Sequence, residues 1–321
     1  MKYRFASLLL LMIAALPGLG SSAADWKHDI YVNPDGSGDY TTVTDALEGI
    51  RAYMDYNVTV HIANGTYKEK IVIPSWLKNV TFEGENADST IITFDHHANI
   101  DNMGTFRTYT FKVDACDATF RNLTIENNAP QLGQAVALHT EGDRLRFINC
   151  RFLGNQDTIF TGGKNSRLYF ENCYIEGTTD FIFGPATAYF KNCDILSKRD
   201  SYITAASTPE DVKYGYIFDS CTLRALPEVT KVYLGRPWRP YAHTVFINCD
   251  MGAHIRPAGW HNWNNTDNER TARYGEYGSR GAGASQAERV GWAMKVSDSE
   301  AADCLDLAKV FAVTTGWNPA E

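Results

Sequence analysis

No cysteine precedes Cys116 in this chain, and none of the seven sits in a C-x-x-C pair, so thiolate zinc chemistry has no foothold. The G-x-S-x-G elbow of serine hydrolases, the H-E-x-x-H of zinc proteases and the G-x-G-x-x-G of dinucleotide sites are also missing. The eight histidines show no ligand spacing, and His96-His97 reads as a loop pair. Leucines at fixed offsets are absent, which excludes a leucine-rich solenoid. Positive charge is scarce: the net charge is −8. An acidic surface argues against nucleic acid and anionic membrane as partners, and a polyanionic substrate would need locally placed cations. Beyond the first two dozen residues no stretch is long and apolar enough to span a membrane.

What is present begins with a leader. MKYRFASLLLLMIAALPGLGSSAAD combines two basic residues, an apolar run and a small-residue end, the pattern of a secretory signal peptide cleaved near Ala24. Residues 1–24 are therefore expected to be removed, leaving 25–321 as one exported domain, periplasmic or extracellular. Loss of Lys2 and Arg4 would take the net charge to −10.

The remainder repeats itself. ATFRNLTI (118–125), LRFINCRF (145–152), LYFENCYI (168–175), AYFKNCDI (188–195), YIFDSCTL (216–223) and TVFINCDM (244–251) share an aromatic, a variable residue, Asn or Ser, then usually Cys. Periods of about 20–50 residues signal stacked supersecondary units. Each unit is a short alternating strand rich in β-branched and aromatic residues, bounded by Gly, Asn and Asp. The expected fold is all-β: a single-stranded right-handed parallel β-helix whose turns stack about 4.8 Å apart. Aromatics should stack inside, asparagines should form an amide ladder at one corner, and cysteines should form a buried ladder. An amphipathic helix over 39–54 should cap the N-terminal end, with apolar residues at 43, 46, 47 and 50. A C-terminal tail should pack on the coil.

The repeat bears directly on two acids. Asp157 and Asp180 each begin an apolar run, and each lies seven residues after a repeat cysteine, Cys150 and Cys173. They should therefore occupy equivalent places on consecutive turns, roughly 5 Å apart. Two carboxyls so close ionise unequally, one raised and one low, which supplies an acid and a nucleophile. Gln156 adjoins Asp157 and Gln134 lies 22 residues earlier, so two amides could face a developing oxyanion. Asp200 is also seven residues after its cysteine, Cys193, and on register alone is an equal candidate. In YLGRPWRPYAHT (233–244), Arg236 stands in a proline-stiffened segment and could grip a carboxylate through both oxygens. Trp238 offers a flat apolar face for a sugar ring.

These residues together resemble the pectin methylesterase (pectinesterase) family. The likeness runs from IYVNPDGSGDYTTVTDAL (30–47) and NGTYKEKIVIP (64–74) through GQAVAL (133–138), QDTIF (156–160), DFIFG (180–184) and LGRPW (234–238) to WHNWN (260–264), YGEYGSRGAG (274–283) and RVGW (289–292). The resemblance implies hydrolysis of galacturonate methyl esters in pectin, without cofactor or metal, by a monomer. It implies Asp180 as nucleophile, Asp157 as acid then base, Gln134 and Gln156 as oxyanion donors, and Arg236 as the partner of Asp180. Trp238, Phe160, Phe183 and Thr105 would line the sugar cleft, and Asp200 receives no role. His139 stands where many members carry Arg, a difference that bears on cleft shape. A lyase would need calcium and a basic proton abstractor, and a polygalacturonase would use acids alone. A non-catalytic carbohydrate-binding coil would not need the whole set.

Seven cysteines in an exported protein invite disulfides. The ladder argues for few. If one bridge forms, the 20-residue spacing favours Cys173–Cys193, with Cys150, Cys221 and Cys249 as buried thiols and Cys304 free.

Overall fold

The computed structural model describes residues 26–312 and 317–320. The leader sequence lies outside the described residues. The chain winds into a right-handed parallel β-helix with three faces: sheets of eleven, eight and seven strands. One turn illustrates the course of the chain. Leu145–Ile148 lies in the eleven-stranded sheet, Arg151–Leu153 in the eight-stranded sheet and Ile159–Thr161 in the seven-stranded sheet.

The repeat motif builds the first corner. Asn122, Asn149, Asn172, Asn192, Ser220 and Asn248 all adopt left-handed backbone, with φ between 53° and 57°. Asparagine tolerates that region better than other residues with a Cβ, because its short polar side chain bonds locally. Each corner N–H donates to the next turn, as Asn149 does to the Glu171 carbonyl at 3.0 Å and Asn172 to Lys191 at 3.0 Å. The expected amide ladder is replaced by this backbone device. Among the described residues, only the Asn149 Nδ2 to Asn122 Oδ1 contact at 3.4 Å joins two corner amides. Five of the six corner side chains face solvent and have no need of a protein partner.

Inside, one phenylalanine per turn makes a column. Phe82, Phe120, Phe147, Phe170, Phe190, Phe218 and Phe246 stack at centroid distances falling from 5.4 to 4.3 Å along the chain. All seven are fully buried. Each pair adds about 0.5–1.5 kcal/mol beyond burial itself. Beside this column run the thiols. Cys150, Cys173, Cys193, Cys221 and Cys249 are buried, and each Sγ–H donates to a phenylalanine carbonyl one turn back, at 3.3–3.7 Å. All seven cysteines are free, so the Cys173–Cys193 bridge is not formed. Cys304 is a free thiol but a buried one.

The ends are closed as expected, with one change of extent. The capping helix spans only Val43–Glu48; the Thr42 hydroxyl accepts the Asp45 N–H, and Gly49 ends it. The segment 39–42 cannot be helical because the N–H groups of Asp39 and Tyr40 donate to the Tyr31 carbonyl. Val43, Ala46, Leu47 and Ile50 are buried, as the apolar spacing predicts. At the other end, Ser297 and Glu300 form a capping box for helix Asp298–Leu305, followed by Leu307–Val310. Cys304, Val310 and Phe311 pack on Tyr169, Tyr189, Ile217 and Val245. Those four are register partners on the outer face of the eleven-stranded sheet. The outer face is apolar where the tail covers it and carries Thr59, Thr81 and Thr119 beyond the tail. The YGEYG and RVGW segments meet through a buried ion pair, Arg289 to both oxygens of Glu276 at 2.7 and 2.9 Å.

Candidate active site

The seven-stranded sheet carries the acids. Ile159 pairs with Ile182, and Phe160 with Phe183. Asp157 and Asp180 stand two residues before the isoleucines, on consecutive turns. Both have left-handed backbone, φ 66° and 49°. The next turn fixes each kink: the Asp157 N–H donates to the Thr179 carbonyl at 3.1 Å, and the Asp180 N–H to Tyr202 at 2.9 Å. Asp200, the equal candidate on spacing, is placed elsewhere. Ile182 pairs with Thr204, so the residue two positions earlier on that turn is Tyr202. Asp200 is exposed, and its carboxylate accepts the N–H groups of Thr230 and Lys231, both at 2.8 Å. It organises a loop.

Arg236 follows strand Tyr233–Gly235, and its N–H donates to the Thr204 carbonyl at 3.0 Å. Its guanidinium donates to both oxygens of Asp180, Nε to Oδ1 at 3.0 Å and Nη2 to Oδ2 at 2.6 Å. Among the described residues Asp157 forms no ion pair. Both acids are almost fully buried, at 8% and 6% exposure. Burial pushes the Asp157 carboxyl well above the usual range, the neighbouring Asp180 charge adds to this, and Arg236 opposes it. Burial also raises Asp180, but there the Arg236 hydrogen bonds and charge counteract it directly. The repeat predicts that one carboxyl stays low; instead both are raised, and unequally, because burial acts on each while the cation is bonded to one.

The acids open into a cleft of about 240 Å³. Gln156, beside Asp157, and Gln134, one turn earlier, are half-buried and reach it, and the Ala135 N–H to Gln156 carbonyl bond of 3.0 Å ties those two turns together. Neither amide is hydrogen-bonded within the described residues, which leaves both free to meet a ligand. Thr105, Phe183 and Trp238 line the cleft as expected. Phe160 does not: it lies behind the wall, packed on Phe183 at 5.0 Å and Phe106 at 4.9 Å. His139 is the register partner of Phe160, and its Nε2 bonds Glu141 Oε1 at 2.9 Å.

Two wall residues escaped the sequence reading. Phe106 adjoins Thr105 and is 47% exposed. Trp263 belongs to the WHNWN segment, which carried no assigned role; its ring covers the Arg236 guanidinium at 3.7 Å. A larger hollow of about 500 Å³ lies beside Tyr31 and His61, far along the coil. It contains no acid held by an arginine, so size does not mark the site.

The pectinesterase family profile matches residues 29–312. This chain belongs to the pectinesterase family. It is 37% identical to pectinesterase 31 of Arabidopsis thaliana over 283 residues, 85% of this chain and 89% of that one. It spans about half of several plant relatives whose names join pectinesterase to pectinesterase inhibitor. Among solved structures it resembles the pectin methylesterase of carrot, with a TM-score of 0.84, 31% identity and coverage of 91% of this chain and 95% of that one. A pectin methylesterase in complex with a hexasaccharide gives a TM-score of 0.77 and 28% identity, covering 92% and 99%. The pectinesterase coil thus extends over nearly all of the described residues.

Proposed function

We propose that this pectinesterase is exported after loss of residues 1–24 and that the domain 25–321, acting as a monomer, hydrolyses galacturonate methyl esters of pectin. The observation that carries the mechanism is the asymmetry of the buried pair: Arg236 grips Asp180 through both oxygens, whereas Asp157 has no cation of its own. Asp180 is thereby the carboxylate and Asp157 the acid.

Asp180 attacks the ester carbonyl carbon, and its carbonyl oxygen becomes an oxyanion that accepts hydrogen bonds from Gln134 and Gln156. Asp157 gives its proton to the methoxy oxygen as the carbon–oxygen bond breaks, and methanol leaves. The product is an anhydride between Asp180 and the sugar carboxyl. Asp157, now ionised, takes a proton from water while the water oxygen attacks the sugar acyl carbon. Asp180 departs as a carboxylate, back in the grip of Arg236, and Asp157 is again protonated. Trp238 and Phe183 provide apolar faces for sugar rings on either side.

The test is methanol release from methyl-esterified pectin with chain length followed in parallel, before and after chelation. Methanol should appear with no new chain ends, and chelation should leave the rate unchanged. Unsaturated or reducing ends in proportion to activity would assign the site to a lyase or a glycosidase.

A further inference from the structure

The acid column does not end at Asp180. Two residues before the paired positions Ile159, Ile182, Thr204 and Gly235 stand Asp157, Asp180, Tyr202 and Tyr233 on four successive turns. Where the acids stop, stacked aromatic rings continue. Tyr202 and Tyr233 lie nearly parallel, 12° apart with centroids at 5.3 Å. Arg256 covers the far face of this pair, 4.8 Å from the Tyr233 centroid. On the near side, the Arg236 guanidinium sits 3.9 Å from the Tyr202 centroid and 3.7 Å from that of Trp263. The Arg236 guanidinium is therefore held against two rings while it bonds both oxygens of Asp180.

We propose that Tyr202 is a positioning residue for the esterase reaction, its ring fixing the plane in which Arg236 grips Asp180. Two independent contacts converge on it. Its carbonyl accepts the Asp180 N–H at 2.9 Å and so holds the nucleophile's left-handed kink. Its ring face holds the guanidinium that orients the same carboxylate. A guanidinium on a flexible stem is attracted to an aromatic face, and a planar contact restricts its rotation without taking any of its donors. The guanidinium N–H groups of Arg236 remain available to Asp180 and substrate. Tyr202 does not itself line the cleft. His261 packs against both tyrosine rings, at 5.4 and 5.3 Å, and its Nδ1 accepts the backbone N–H of Trp263 at 3.1 Å, which ties the Trp263 main chain to the same stack.

This inference rests on Asp180 being the nucleophile, and the experiment separates the two. Methanol release is measured across pH for the wild type and for Tyr202→Phe, Tyr202→Leu and Tyr202→Met. Phe keeps the face and the backbone contact, so its kcat should stay within about twofold of wild type. Leu and Met keep the carbonyl but lose the face. Their kcat should fall on the order of 10- to 100-fold while KM for pectin stays within about twofold, as for a misplaced catalytic group. Their acid limb should also move to higher pH, because a loosened Arg236 offsets less of the burial of Asp180. Asp157, Arg236, His261 and Arg256, the charged or titratable groups around this stack, are intact in every variant. A folded Leu or Met enzyme with wild-type kcat and an unmoved acid limb overturns the proposal. So does a rise in KM alone, a loss in Phe equal to that in Leu, or failure of both Leu and Met to fold. A wild-type protein that releases no methanol would instead reject the esterase reading itself.

Discussion

Arg236 places a hydrogen bond on each oxygen of Asp180 and none on Asp157, although the two acids occupy the same position on consecutive turns. Chemical difference thus arises from structural repetition. Two like carboxyls, stacked by the coil, are made unlike by one residue contributed two turns further on.

Substituting the acids should separate their roles. Asp180→Asn should abolish methanol release almost completely, since an amide is a poor nucleophile, with the fold intact by circular dichroism. Asp157→Asn should be nearly as damaging while still permitting slow acylation. Asp200→Asn should keep close to wild-type turnover, because its bonds go to two loop N–H groups. Substantial turnover in the Asp180 variant would overturn the assignment.

Each amide should matter through the transition state. Gln134→Ala and Gln156→Ala should each lower kcat on the order of 10²-fold, the usual effect of removing one oxyanion donor. Steady-state kinetics on pectin should show KM little changed in both. An effect confined to KM would make them ground-state binders.

The pH dependence follows from the direction of the two shifts. Turnover needs Asp180 ionised, so it should fall as pH drops through a carboxyl value raised above the usual range. It also needs Asp157 protonated, so it should fall again as pH rises through a value raised further. Stability obeys the corresponding sign. A carboxyl raised in the folded state stabilises the fold below its unfolded pKa, and that contribution is lost as pH rises through the folded value. Asp157→Asn should therefore raise Tm at neutral pH, and the gain should vanish in acid, where wild-type Asp157 is already uncharged. Calorimetry at both pH values checks this; a gain independent of pH would point to packing instead.

The thiols give a prediction independent of catalysis. Burial pushes Cys150 up to about 12 and Cys304 up to about 11, and only Cys116 is partly accessible. Native, unreduced protein should be alkylated at Cys116 alone, and denatured, unreduced protein at all seven cysteines. A disulfide-linked peptide containing Cys150, Cys173, Cys193, Cys221 or Cys249 would contradict the thiol-to-carbonyl ladder.

Much of this was legible in the sequence because the coil converts spacing into adjacency. The aromatic-x-Asn-Cys motif specifies inward Phe and Cys and a left-handed corner, so register could be counted from it. That counting held for Asp157 and Asp180, whose turns have equal segments between cysteine and acid. It misled at Asp200, where the corner carries two extra residues before the strand, a difference no motif announces. Tyr202 was hidden for the same reason. The asparagine ladder failed because corner residues were judged by side-chain chemistry, whereas their backbone conformation selects them. Phe160 was misplaced because sequence alternation tells which face of a strand is outward, but not what later packs over it. Trp263 was visible in the WHNWN segment, yet its place over Arg236 depends on a loop crossing that spacing does not encode.

The phenylalanine column has one more consequence. It ties the turns by identical rungs, and the loops that vary in length hang outside it. A complete turn could be removed or duplicated on the N-terminal side of the turn bearing Gln134, shifting the cap by one rung of about 4.8 Å. The distances among Gln134, Gln156, Asp157, Asp180 and Arg236 would not change. The length of the molecule is in this sense modular, while the chemistry is confined to a block of turns that cannot be divided.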